Sequence, residues 1–222
     1  MFCDRLMFLH LPKAAGSSIS EVLFRSLPRP LYATNLFPHW LPDPGVVSLP
    51  GDGHEALAEA AAVAATRDFA LDDFPAILVV VRNPYDAEVS RFHFLARRGG
   101  DDGGQHQALA EAGDFEAFAV GCAGKLFGRR EVDDYLRIAG APPPSNLRVI
   151  AYESLAEHLP RELLTVGVRQ VGNLPHIHRS ERGDWRGYYS PKSEEAVYQR
   201  YRWLFDSGIY PRLDSGSFHD HG

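Results

Sequence analysis

Two short stretches of this 222-residue chain carry residue types suited to holding anions. The first, Phe8-Leu9-His10-Leu11-Pro12-Lys13-Ala14-Ala15-Gly16-Ser17-Ser18, runs from an apolar segment through small residues into a helical pattern. A turn of this kind aims backbone N–H groups and the positive end of a helix at an anion. Small side chains at Ala14, Ala15, Gly16 and Ser17 let oxygens approach, Lys13 adds a full positive charge, and the Ser17 and Ser18 hydroxyls can donate. The order differs from a Walker A loop, where lysine follows the second glycine and precedes a magnesium-binding Ser or Thr. Taken alone, the segment reads equally well as an ordinary strand-to-helix turn with a solvated lysine. The second stretch is Val81-Arg82-Asn83-Pro84-Tyr85-Asp86-Ala87-Glu88-Val89-Ser90. It places Arg82 at the C-terminal end of a strand, where open α/β sheets bind ligands, and Ser90 about two turns along the next helix. Such a pair suits a second phosphate.

The elements that must position these residues follow from the apolar pattern. Arg5 to Leu11 reads as a buried strand, broken by Pro12 and Gly16, and Ser17 to Leu27 has helical spacing through Ile19, Val22, Leu23 and Leu27. Residues 28 to 53 hold six prolines and read as a loop with a short strand at Val46-Val47. His54 to Thr66 is alanine-rich and predicts a helix. Ala76 to Val81 is an unbroken apolar run, as expected of a central strand covered on both faces of a parallel sheet. Tyr85 to Arg97 predicts a helix, Gly99 to Gly104 a loop, Phe115–Val120 and Glu131–Ile138 helical segments, and Leu147–Ala151 a strand with a helix after Ser154. The stretch from Leu174 to Tyr189 reads as irregular and Ser193 to Phe205 as a last amphipathic helix. Strands alternating with helices predict an α/β protein, with one domain over residues 1–213 and a flexible tail at 214–222.

Composition narrows the function classes. Hydrophobic residues at 45% and charged residues at 23% exclude a disordered or fibrous chain. A net charge of −6 argues against coating nucleic acid by general phosphate neutralisation. Two widely separated cysteines, Cys3 and Cys122, make neither a disulfide framework nor a metal cluster and suit free thiols in a reducing compartment. The run Leu6-Met7-Phe8-Leu9 is too short for a signal sequence, and no stretch approaches the roughly 20 apolar residues of a membrane span. The expectation is a cytoplasmic protein without membrane insertion.

With both stretches in this order, the chain resembles the sulfotransferases that use 3′-phosphoadenosine 5′-phosphosulfate (PAPS). Their signatures are similar to the pair here: P-K-x-x-G-[ST]-[ST] after the first strand and R-[DN]-P-x(5)-S. The likeness extends through Tyr152-Glu153-Ser154-Leu155 and the basic, aromatic C-terminal region. Within the family the chain looks most like the carbohydrate branch, of the uronyl or heparan 2-O-sulfotransferase type, through Gly53-His54 and Arg91-Phe92-His93-Phe94-Leu95. It departs from the family at Ala14, where threonine is common, and at Ala87, where an arginine is common. The resemblance implies a P-loop-like, three-layer α/β fold with a mostly parallel central sheet flanked by helices. It implies transfer of a sulfuryl group from PAPS to an acceptor hydroxyl on a carbohydrate or glycoconjugate, with PAP as product and no metal.

Sulfuryl transfer, like phosphoryl transfer, is an in-line displacement through a loose transition state, so the protein positions groups and stabilises moving charge. On this reading Lys13 and the amides of Ala14, Ala15, Gly16, Ser17 and Ser18 meet the charge gained by the leaving 5′-phosphate. Arg82, Ser90 and Arg179 hold the distant 3′-phosphate. Among ten histidines, His54 is the candidate base: it follows Gly53 and a short strand, precedes a helix and matches the catalytic histidine of the resembling branch. His10 reads as a strand-end packing residue, and His39 as either an acceptor contact or a loop residue. His219 and His221 fall in the tail, and His176 and His178 lack the partners of a metal site. Arg91, His93, Arg97, Arg98, Arg182, Arg186, Tyr188 and Tyr189 are candidate acceptor contacts, each equally readable as solvated surface. Residues 28 to 53 and 98 to 113 are the loops expected to shape acceptor choice. A P-loop nucleotide kinase and a non-catalytic nucleotide- or glycan-binding module remain the alternatives.

Overall fold

The computed structural model describes residues 1–98, 105–126, 130–131, 135–169 and 183–213. In chain order the elements are β1 (Phe2–Cys3), β2 (Leu6–Leu9), α1 (Gly16–Ser26), β3 (Leu31–Ala33), β4 (Val46–Ser48), α2 (Leu57–Ala65), β5 (Ile77–Val81) and α3 (Pro84–Arg98). There follow α4 (Gln105–Glu111), α5 (Phe115–Cys122), β6 (Lys125–Leu126), β7 (Arg130–Glu131), β8 (Leu147–Ala151), α6 (Leu155–Thr165), α7 (Pro191–Arg200) and α8 (Arg202–Asp206). Contacts group the chain into two compact units, Met1–Val81 with Asp134–Ile177, and Arg82–Asp133 with His178–Gly222. Among the described residues no helix is long and apolar enough to cross a membrane.

The first unit holds a six-stranded sheet in the order β4-β3-β1-β2-β5-β8. β2 and β5, β5 and β8, and β3 and β4 run parallel, while β1 is antiparallel to both its neighbours. The fold is the predicted mixed α/β kind, P-loop-like, with a mostly parallel central sheet flanked by helices. All five residues of β5 are buried, the expected state of a strand paired on both edges and covered on both faces. β8 lies at the edge, which leaves Arg148 and Val149 exposed. Register pairs Leu9 with Val79, so β2 and β5 end at the same side of the sheet. α1 buries Ile19, Val22 and Leu23, each worth about 1.5–3 kcal/mol against exposure. It stops at Leu27, which turns extended before Pro28.

The sequence reading needs several corrections here. The first strand is shorter than Arg5 to Leu11, because Asp4 and Arg5 form the turn of a β1–β2 hairpin that pairs Cys3 with Leu6. β3 lies within the proline-rich stretch, where its three residues gave no periodic signal. The second helix starts at Leu57 rather than His54, because His54 N–H is held by Asp52 Oδ1 at 2.8 Å and Ala56 N–H by Glu59 Oε2 at 3.1 Å.

The second unit packs α3, α4, α5, α7 and α8 around aromatic rings and carries a β6–β7 ribbon. Phe92 meets Phe115 and Phe118 edge-on, and Tyr85 meets Trp185, Tyr189 and Phe205. Residues 105–111, expected as loop, are helical. Glu131, expected to start a helix, pairs in β7 instead. The last helix is divided at Tyr201, whose φ of −116° and ψ of 22° leave the helical range while its hydroxyl donates to buried Glu88. The expected loop at Gly99 to Gly104 and the expected tail at 214–222 lie outside the described residues.

Candidate active site

The anion loop is built by two left-handed residues. Lys13 has φ 65° and Ala15 φ 60°, so the chain leaving β2 turns sharply before α1 begins at Gly16. Ala15 occupies the N-cap, and its methyl group makes no side-chain cap to the helix. The first intrahelical bond at this end runs from Ile19 N–H to Ala15 O at 3.0 Å. No acidic residue stands in the first turn of α1, leaving the positive helix end uncompensated from within the helix. Ala14, Gly16 and Ser18 are buried, while Lys13, Ala15 and Ser17 are half-buried. Main-chain donors, a cation and hydroxyls in this arrangement fit a phosphate or sulfate group.

Beside this helix start the structure brings together two histidines. His54 Nδ1 lies 3.0 Å from the main-chain oxygen of His10, and the two rings meet at 4.4 Å between centroids with an angle of 64°. A carbonyl oxygen only accepts, so Nδ1 is the donor in this contact. On its other side the His10 ring presses on Gly16: a Cβ there would stand 1.7 Å from His10 Cδ2 and 1.8 Å from Nε2. Loop, His10 and His54 therefore form one contiguous cluster. Burial, reinforced by His54 and the Met1 ammonium, pushes His10 down to about 3, so its ring is neutral near pH 7.

The turn before His54 is braced by a residue that the sequence reading missed. Glu55 accepts from the amides of Asp52 and Gly53 at 2.8 and 3.0 Å and from the Thr34 hydroxyl at 2.8 Å. Gly53 has φ 82°, and a Cβ on it would lie 2.5 Å from Asn35 Cβ, so glycine is required there for both reasons. His39 is exposed and bonded to Glu21 of α1 at 2.9 Å. Burial alone would raise the Glu21 carboxyl, but hydrogen bonds from His39, Trp40 and Arg25 outweigh it and hold the group below its usual range.

In the second unit Arg82 bonds Asp86 through Nε at 2.6 Å and a terminal nitrogen at 2.5 Å. Asp86 and Ser90 are four residues apart within α3, which places Ser90 on the side of the helix that carries Asp86. That spacing was visible in the sequence, but Asp86 was not singled out. Arg91, expected as an acceptor contact, is instead 3% exposed: it pairs with Glu88 at 2.7 Å, donates to the Cys122 carbonyl and lies over the Phe118 ring. Tyr189 is likewise buried, its hydroxyl donating to the Tyr85 carbonyl at 2.8 Å. His93 and Tyr188 are bonded to each other at 2.7 Å, and exposed Arg186 lies 4.5 Å over the Trp185 ring. Arg97 is exposed on α3. Arg179, Arg182, His176, His178, His219, His221 and the side chain of Arg98 lie outside the described part of the chain. Among the described residues no group of three or more His, Cys, Asp or Glu is placed to hold a metal ion.

Sheet order, helix start and loop geometry together define a P-loop-like α/β protein with a sharp left-handed turn between its second strand and first helix. No protein-family model matches the sequence, and no curated protein matches it. Among solved structures, the chain is similar to mouse sulfotransferase SULT7A1 complexed with PAP. The TM-score is 0.57 at 16% sequence identity, over 94% of this chain and 86% of that one. At that identity the likeness is one of fold.

Proposed function

We propose that this chain is a PAPS-dependent sulfotransferase that moves a sulfuryl group to an acceptor hydroxyl, on a carbohydrate or glycoconjugate, with His54 as base. The observation that carries the reading is the cluster itself: the His54 imidazole, donating through Nδ1 to the His10 carbonyl, is joined through His10 to the start of α1. The fold shared with a sulfotransferase whose structure contains PAP supports the same donor.

In this mechanism His54 Nε2 takes the acceptor hydroxyl proton as the acceptor oxygen bonds to sulfur. The bond from sulfur to the 5′-phosphate oxygen breaks, and its electron pair leaves on that oxygen. Lys13 and the amides from Ala14 to Ser18 stabilise the charge that develops there; one preorganised donor of this kind is worth about 3 kcal/mol. Arg82, oriented by Asp86, and Ser90 hold the 3′-phosphate, with Arg179 as a third candidate. The acceptor class rests on Gly53-His54 and His93, since Arg91 is occupied in its pair with Glu88.

The test is incubation with labelled PAPS and a panel of glycans, lipids and phenols, beside titrations with adenosine 3′,5′-bisphosphate and adenosine 5′-monophosphate. Transfer to a glycan is expected, and His54→Ala should slow it about 10²–10⁴-fold while keeping bisphosphate affinity. Arg82→Ala should lose about 10–100-fold in bisphosphate affinity, the worth of one charged hydrogen bond, with little change for the monophosphate. Magnesium-dependent ATP turnover without sulfuryl transfer would make the protein a kinase. Tight nucleotide binding with no turnover on any acceptor, and no effect of His54→Ala, would make it a binding module.

A further inference from the structure

Building on the assignment of His54 as base, we propose that His10 is its positioning residue. The His10 carbonyl fixes the Nδ1-protonated tautomer of His54, and the His10 ring, lodged against Gly16, sets the spacing between that imidazole and the start of α1. The first half follows from the 3.0 Å contact between His54 Nδ1 and His10 O, because the group bonded to one ring nitrogen decides which nitrogen is left as the base.

The second half follows from how the ring is enclosed. Phe8 stacks near it at 6.1 Å and 23°, His54 meets it edge-on at 4.4 Å, and Gly16 stands where any side chain would collide with it. A main-chain carbonyl is present whatever residue occupies position 10, so the carbonyl alone does not call for histidine. The ring does: a small side chain would open a gap into which His54 can rotate, and the 3.0 Å bond would be lost. The ring is also kept neutral by its burial, so no positive charge beside His54 opposes proton uptake at Nε2. An aromatic wedge that stays uncharged is what the position requires, and an imidazole held neutral supplies it.

The experiment is long-range proton–nitrogen NMR of the imidazoles in the ¹⁵N-labelled full chain at pH 8, for wild type and His10→Ala, with kcat and bisphosphate affinity measured in parallel. In the wild type His54 is expected to carry its proton on Nδ1. In His10→Ala the His54 signals should move toward the Nε2-protonated or averaged pattern, with kcat down about 10–100-fold, the usual effect of losing an orienting partner. Bisphosphate affinity should stay within about threefold of wild type, since the amides of α1 remain. A wild-type His54 protonated on Nε2, or an unchanged His54 pattern in His10→Ala, overturns the proposal. The wild-type spectrum needs neither the variant to fold nor any acceptor. Absence of sulfuryl transfer beside an Nδ1-protonated His54 would therefore remove the reaction and leave the tautomer assignment intact.

Discussion

Replacing Gly16 by alanine adds one methyl group at the most crowded point of the site. The new Cβ would stand 1.7 Å from His10 Cδ2, whereas non-bonded carbons settle about 3.5–4.0 Å apart, so the ring must move by roughly 2 Å. Phe8 and His54 bound it on two sides. Overpacking of this kind costs about 1–3 kcal/mol, and a ring held between two others puts this case in the upper half. The helix propensity of alanine over glycine returns at most about 1 kcal/mol. The net loss is about 1–2 kcal/mol, which for a chain of 222 residues lowers Tm by about 2–8 °C. The neighbouring exchange gives a near-neutral control. Ala15 sits at φ 60°, so Ala15→Gly relieves about 1 kcal/mol of left-handed strain and loses about 0.4–1 kcal/mol to the freer unfolded chain, leaving Tm nearly unchanged. Calorimetry on the two variants decides the matter. Gly16→Ala as stable as the wild type, or Ala15→Gly as damaging as Gly16→Ala, would refute the packing of His10 on the helix start.

Two further outcomes concern stability. Glu88 and Arg91 are 0% and 3% exposed, so Glu88→Gln leaves the guanidinium buried without its counter-charge. The expected loss is about 3–5 kcal/mol and a Tm drop of about 6–20 °C; a drop under about 2 °C would show that the pair does not hold the second unit together. His10 titrates at about 3 in the folded chain against about 6.5 when unfolded. Between those values the unfolded chain binds a proton that the native one does not, so stability is complete above pH 6.5 and falls as pH drops toward 3, by up to about 1.4 kcal/mol per pH unit. Urea unfolding at pH 7, 5 and 4 should show a steeper decline for the wild type than for His10→Gln, and identical slopes would contradict a ring held neutral in the folded chain.

The sequence alone located a strand within Arg5 to Leu11, others at Ala76 to Val81 and Leu147–Ala151, a helix after each of them, and the α/β class. These elements are long apolar runs or strong periodic patterns, and proline or glycine marks their ends, so the information is local. It also singled out the stretch from Lys13 to Ser18 as a candidate anion loop, because lysine followed by small residues and then a helix is a local arrangement of donors. The tertiary structure decided what the remaining residues do. Arg91 resembled a surface cation until Glu88 and the Cys122 carbonyl enclosed it, and Tyr189 resembled a surface ring until the Tyr85 carbonyl did the same. His10 and His54 are 44 residues apart in the chain, and no pattern along it signals that one carbonyl sets the proton on the other's ring. That contact exists because the sheet and α1 bring the end of β2 against the turn before α2, and non-local contacts of this kind leave no periodic trace in the order of residues.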